Sequence, residues 1–215
     1  MVMVSIYLKI FIALYVLVNP LEGLPIFLAR TETLDECQRL SIGWTAALSV
    51  TCIMLGTLAL GRVVLALFSI SIGDFTLAGG VIIFLIALKM VLGSSQAADS
   101  SHPMSDEQLH SFGIVPLATP LLAGPGVISA VIVNASKGPT DRGNTLMDYI
   151  ILSAIILAVG AATAIALRAA GPLKRILGET GIEVSTRMSG ILVGAIAVGM
   201  IMQGIKDSFP MLSHG

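Results

Sequence analysis

Six long apolar stretches dominate this sequence and leave it few folds to choose from. They run roughly over 6–28, 42–60, 75–92, 112–133, 149–167 and 188–205. At about 18–23 residues each, they are long enough to cross a bilayer as helices. All are uniformly apolar rather than alternating, which excludes a β-barrel. Charged residues make up only 12% of the 215 and hydrophobic ones 55%, against about 25% charged in soluble domains. A soluble globule of this size would have no polar skin. The expected fold class is therefore all-α: a polytopic membrane protein of six transmembrane helices, with the lipid bilayer as its first partner.

A net charge of −1 offers no basic patch to neutralise phosphates, so nucleic acid is not an expected partner. Cys37 and Cys52 are too few for a disulfide framework. The first apolar stretch carries Lys9 inside it rather than a basic start before it, and no small-x-small cleavage site follows. It reads as a retained helix, not a secretory signal. The longest interruption, GSSQAADSSHPMSDEQLHS (93–111), is polar and falls near the chain midpoint. It divides a single membrane domain into a first three-helix half (1–92) and a second (112–215). Two shorter segments, RVVLALF (62–68) and GPLKRILG (171–178), read as amphipathic pieces at the membrane interface.

The halves resemble each other. Shifting the chain by 110 residues lays 66–90 on 176–200 with 7 identities in 25, among them Thr76/Thr186, Gly80/Gly190, Ala87/Ala197 and Met90/Met200. At a shift of 100, Leu17, Pro20, Leu21 and Pro25 meet Leu117, Pro120, Leu121 and Pro125. The difference between the shifts falls in the loop at 137–148, where insertion is tolerated. Three spans per copy is an odd number, so the second copy enters the membrane from the opposite side. Inverted repeats of this kind characterise secondary transporters that alternate access around a central site.

The chemistry concentrates in Asn19-Pro20-Leu21-Glu22-Gly23-Leu24-Pro25 and Thr119-Pro120-Leu121-Leu122-Ala123-Gly124-Pro125-Gly126. Each segment sets two prolines five residues apart within an apolar span. In a continuous helix Pro20 and Pro25 could not donate to the Val16 and Leu21 carbonyls, nor Pro120 and Pro125 to those of Pro116 and Leu121. Hydrocarbon offers those carbonyls no water, so protein, bound water or a ligand must satisfy them. Gly23, Gly124 and Gly126 permit backbone outside the helical region. The functional reading is a pair of discontinuous helices, the first and fourth, meeting near the midplane. Their partly positive amino ends would face an anionic group and their unwound carbonyls a cation. Asn19 and Thr119 stand ready as side-chain ligands. The alternative is structural, with the prolines kinking tightly packed helices and Asn19 and Thr119 satisfying backbone. Glu22 is the one acidic residue well inside an apolar run, about 12 Å along the helix from Arg30. An intramembrane carboxylate is costly and points to proton coupling, unless it stays protonated or reaches a water-filled vestibule.

Other polar residues have simpler readings. Lys9 and Lys89 snorkel to the interface, and Ser129, Asn134 and Thr163 bond helix backbone. Asp99, His102, Asp106 and His110 match no strong metal spacing and read as a solvated acidic loop. Neither a metal nor a cofactor is expected. No span pairs Ser with His or Asp with Asp as hydrolysis would require, so an enzyme is not expected.

Taken in order, VNPLEGLPIF (18–27), FTLAGGVIIFLIALKM (75–90), GIVPLATPLLAGPGVIS (113–129) and TRMSGILVGAIAVGM (186–200) resemble the MarC family of bacterial inner-membrane proteins. The resemblance covers nearly the whole chain. It implies a six-span plasma-membrane protein distantly similar to exporters of the LysE type, and it implies no substrate. The family's Asn/Asp-Pro motif falls on Asn19-Pro20, and its Pro-x-x-x-Gly-Pro motif on Pro120, Gly124 and Pro125. Members often read Gly-Asn where this chain has Glu22-Gly23, so proton coupling through Glu22 would belong to this chain rather than to the family.

The side holding the loops after spans one, three and five carries seven Lys and Arg residues, and the other side five. By the positive-inside rule both termini are expected outside the cytoplasm. The expectation is a secondary transporter, an exporter of a small polar solute or ion, with a midplane site between the broken first and fourth helices. The alternative is a non-transporting membrane scaffold or stress-response partner. Oligomeric state is not legible.

Overall fold

The computed structural model describes residues 2–31, 34–93, 122–137 and 146–208. Every regular element within them is a helix: α1 (Val2–Val18), α2 (Pro20–Thr31), α3 (Glu36–Leu67), α4 (Ile72–Leu92), α5 (Pro125–Lys137), α6 (Leu146–Arg168) and α7 (Ala170–Ser208). Four stretches are long and apolar enough to cross a membrane: α3, α4, α6 and the part of α7 from Thr180 to Ser208. Shorter apolar helices cover Ser5–Val18 and Pro125–Ser136. Only 22–39% of the most apolar stretch of each long helix is buried. Large apolar side chains such as Leu48, Leu85, Leu157 and Ile191 face outward. That pattern suits hydrocarbon as the surrounding solvent.

Local chemistry sets the helix ends. The Asp35 side chain caps α3 by accepting from Gln38 N at 2.7 Å, and Ser71 Oγ caps α4 by accepting from Asp74 N at 3.0 Å. Each side chain satisfies a donor that the first turn leaves free. Gly93 closes α4 in the left-handed region, at φ 73°. One expectation is corrected here. The segment 62–68 is not a separate interfacial piece, because α3 runs through it to Leu67. Nothing between Leu60 and Leu67 breaks a helix, and Gly61 is where Ile132 of α5 packs, 2.5 Å from the position a Cβ would take. In α7 the opposite holds. Gly178, at φ 65° and ψ −179°, interrupts the helix between 170–177 and the spanning part.

The buried apolar side chains form two clusters. The larger core joins α1, α2, α3, α5 and α6 through Leu14, Val18, Leu24, Val50, Val127 and Val159. A smaller cluster of Ile83, Ala87, Val193 and Ala197 joins α4 to α7, and Val16 and Leu17 of α1 pack against it. The α4–α7 pair is the most extensive helix contact among the described residues. The two helices are antiparallel: Gly73 faces Asp207 and Ser208, Gly80 faces Ala197 and Ile201, and Gly190 faces Ala87 and Met90. A Cβ at Gly80 would lie 3.1 Å from the Ala197 carbonyl oxygen, and one at Gly190 3.2 Å from that of Ala87. Glycine at these crossings lets the backbones approach, as small residues do between helices in lipid. The α3–α6 pair is antiparallel too, with Gly160 against Thr51 and Gly43 against Leu167.

Candidate functional site

The first proline motif breaks its span, and the break falls on Asn19. Helix α1 ends at Val18, and Asn19 adopts a left-handed backbone with φ 43°. Asparagine enters that region more readily than other side-chain-bearing residues. The Asn19 N–H still donates to the Tyr15 carbonyl at 3.0 Å, closing the last turn of α1. Pro20 then opens α2 at the position where a missing N–H costs nothing and the fixed φ suits a helix. The sequence permits Gly23 a backbone outside the helical region, and the structure makes no use of it. It lies inside α2, which continues through Pro25 to Thr31. The bend is taken up one residue ahead of the first proline, and Gly23 serves as a buried helical position.

The break is deep in protein. Val18, Pro20, Gly23 and Leu24 are buried, and Asn19 is 6% exposed. The Asn19 Nδ2 donates to the Met90 Sδ on α4 at 3.5 Å, a weak acceptor that a buried amide uses in apolar surroundings. Met90 was missed as a site residue by reading the sequence, because a thioether in an apolar helix resembles any other core residue. Its one signal was identity with Met200 in the internal repeat.

The second motif is described from Leu122 onward. Leu122, Ala123 and Gly124 are buried, and α5 starts at Pro125, again with proline at the first helical position. Ile128 N donates to the Gly124 carbonyl at 3.2 Å as the first bond of α5. Gly126 abuts the Ile83 side chain of α4, whose Cδ1 would lie 2.8 Å from an added Cβ. Three residues further on, Ser129 packs against Gly79. So α4 touches both motifs, through Met90 on one and Ile83 on the other, and these stand on one face of the helix two turns apart. Thr119 and Pro120 lie outside the described residues, as do the Glu22 and Pro25 side chains and Asp99, His102, Asp106 and His110 in the central segment.

Most other polar side chains in the spans serve backbone. Thr163 donates to the Val159 carbonyl at 2.9 Å, Thr51 to that of Ala47 at 2.8 Å, and Asn134 to that of Ala130 at 2.7 Å. These bonds tie off groups that lipid cannot satisfy. Lys9 and Lys89 are exposed. One carboxylate was overlooked in the sequence: Asp148, in the first turn of α6, is 1% exposed. It stands one residue before the apolar stretch at 149–167 and read as part of a loop. A carboxylate in a first turn is favoured by the helix dipole. Among the described residues no three His, Cys, Asp or Glu side chains gather as a metal site would require.

Comparison with known proteins agrees with this architecture. The family model described as MarC family integral membrane protein matches residues 4–209. The chain is 37% identical over 210 residues to the UPF0056 membrane protein YhcE of Escherichia coli (strain K12), covering 96% of this chain and 95% of that one. It is 33% identical over 216 residues to the membrane protein YvbG of Bacillus subtilis (strain 168), covering 98% and 99% of the two. With the inner membrane protein MarC of Salmonella paratyphi A it shares 32% over 205 residues, covering 91% and 92%. No solved structure matches. By family model and full-length relatives alike, this chain belongs to the MarC family of integral membrane proteins.

Proposed function

We propose that this protein is a secondary transporter, an exporter of a small polar solute or ion, built as two inverted three-helix repeats. Its site lies between the broken first and fourth helices. The observation that carries the reading is the buried left-handed Asn19, which ends one helix and starts another inside an apolar span. In lipid such a break is tolerated only where it lies within protein or lines a cavity. It sets the partly negative carboxyl end of α1 beside the partly positive amino end of α2. The amino end of α5 follows the buried Leu122, Ala123 and Gly124, with Pro125 itself exposed and Gly126 buried again.

The contacts of α4 and α7 support the inverted repeat. Gly80 and Gly190 are equivalents at the 110-residue spacing, and so are Ala87 and Ala197. Gly80 lies against the Ala197 carbonyl while Gly190 lies against that of Ala87. Exchange of partners in this way is what a two-fold axis generates. For antiparallel spanning helices that axis lies in the membrane plane, and it turns one half over relative to the other. The Lys and Arg majority beside the loops after spans one, three and five favours termini outside the cytoplasm.

Purified protein in liposomes, assayed with a trapped pH dye and a panel of amino acids and monovalent cations, should show flux that Asn19→Ala or Thr119→Ala abolishes. Unchanged flux in both variants overturns the site. A scaffold without transport would show no flux at all and would lose its phenotype through changes to surface loops.

A further inference from the structure

Met90 and Met200 are equivalents in the internal repeat, yet they lie toward opposite ends of the α4–α7 pair. Met90 is in the last turn of α4, in contact with Asn19 and with its Cβ 2.9 Å from where Gly190 would carry one. Met200 lies beside the amino-terminal half of α4, with its Cε 3.8 Å from the Cβ position of Gly79, the glycine on which Ser129 of α5 also packs. Each methionine therefore sits where the α4–α7 pair meets a proline-motif helix, Met90 against the first motif and Met200 beside the second. Midway between the reciprocal glycine contacts stand Leu85 and Ala195. Met90 follows the first by five residues and Met200 the second by five, on helices running in opposite directions. Ten helical residues span about 15 Å, and helical side chains lean toward their own amino ends. The two thioethers thus bracket the crossing point at less than that spacing.

We propose that Met90 and Met200 are paired closures of the transport path, one on each side of the membrane midplane, so that the path has two constrictions rather than one central plug. This rests on the inverted-repeat transporter reading above. Methionine suits the role. Its unbranched chain moves among rotamers without leaving a rigid void, and its sulfur accepts weakly from a passing donor without holding it. Met90 is the more tightly shut, being buried where Met200 is partly exposed. It engages the Asn19 amide directly. A solute or ion reaching the Asn19 carboxamide from the α4 carboxyl end must displace the Met90 thioether first.

The test places single cysteines by Met90→Cys or Met200→Cys in a background carrying Cys37→Ser and Cys52→Ser, then applies a membrane-impermeant charged maleimide from one side at a time. The two positions should label from opposite sides, each more than about tenfold faster from its own side, because a thiol in hydrocarbon stays protonated and unreactive. Side-resolved methionine oxidation of the unsubstituted protein, read by mass spectrometry, gives the same comparison without relying on a cysteine variant to fold. Labelling of both positions from one side, of only one of them, or of neither in folded protein overturns the proposal. Opposite-sided labelling without solute flux would keep the two thioethers on opposite sides of the midplane but remove the transport reading, and the closures with it. Same-sided labelling with flux intact would remove the closures and leave the transport reading standing.

Discussion

The Asn19 amide and the Met90 thioether meet at 3.5 Å, tying the break in the first span to the last turn of α4. The contact depends on a backbone at φ 43°, which a residue with a Cβ adopts at a cost of roughly 1–2 kcal/mol. Glycine adopts it freely. Asn19→Gly should therefore unfold near the wild-type temperature, and Asn19→Ala should lose about 1–2 kcal/mol. Thermal unfolding in detergent measures both. Equal stability of the two variants would mean that the left-handed turn is not what holds the break.

Gly80 and Gly190 make equivalent approaches to the partner backbone. Gly80→Ala and Gly190→Ala should each destabilise by about 1–3 kcal/mol, the range for overpacking a tight contact, and by similar amounts. Gly199, on α7, has nothing within 4 Å of its Cβ position. Gly199→Ala should be neutral or stabilising by up to about 1 kcal/mol through helix propensity. A large loss at Gly199 or none at the other two would contradict the packing of α4 on α7.

Gly126 and Ile83 are coupled sterically. Gly126→Ala alone forces the isoleucine aside, while Ile83→Ala alone leaves a hole. Together they should recover part of the combined loss, with a coupling energy of about 0.5–3 kcal/mol in a double-mutant cycle. Simple additivity would mean that α5 does not start against Ile83.

At Gly178 the backbone carries φ 65° and ψ −179° with open space around it, so a substitution meets only conformational strain. Gly178→Ala should cost about 1–3 kcal/mol, read as a lowered unfolding temperature. No change would show that 170–177 runs on into the spanning helix.

How much of this the sequence carried depends on the kind of signal. Apolar runs marked the helices, because burying a backbone in lipid leaves one local solution. The extent of α3 was hidden, since Arg62 looks like the edge of a span although the helix passes through it. Paired prolines marked where a helix would fail, but not which residue would turn. Pro20 is accommodated as a first helical residue, and the strain passes to Asn19. Gly178 stood within a segment already set apart by its charges, so that interruption was legible in outline. Met90 and Asp148 were not. Their roles depend on what lies opposite them in space, and neither a thioether in an apolar run nor an acid at a span edge stands out from its neighbours.

The central claim is that a solute crosses at the Asn19 break, and Asn19→Gly tests it most directly, because glycine keeps the turn and removes the amide. In proteoliposomes this variant should reconstitute and orient as the wild type does while losing the flux that the wild type supports. Wild-type flux in Asn19→Gly would contradict a site built on that side chain.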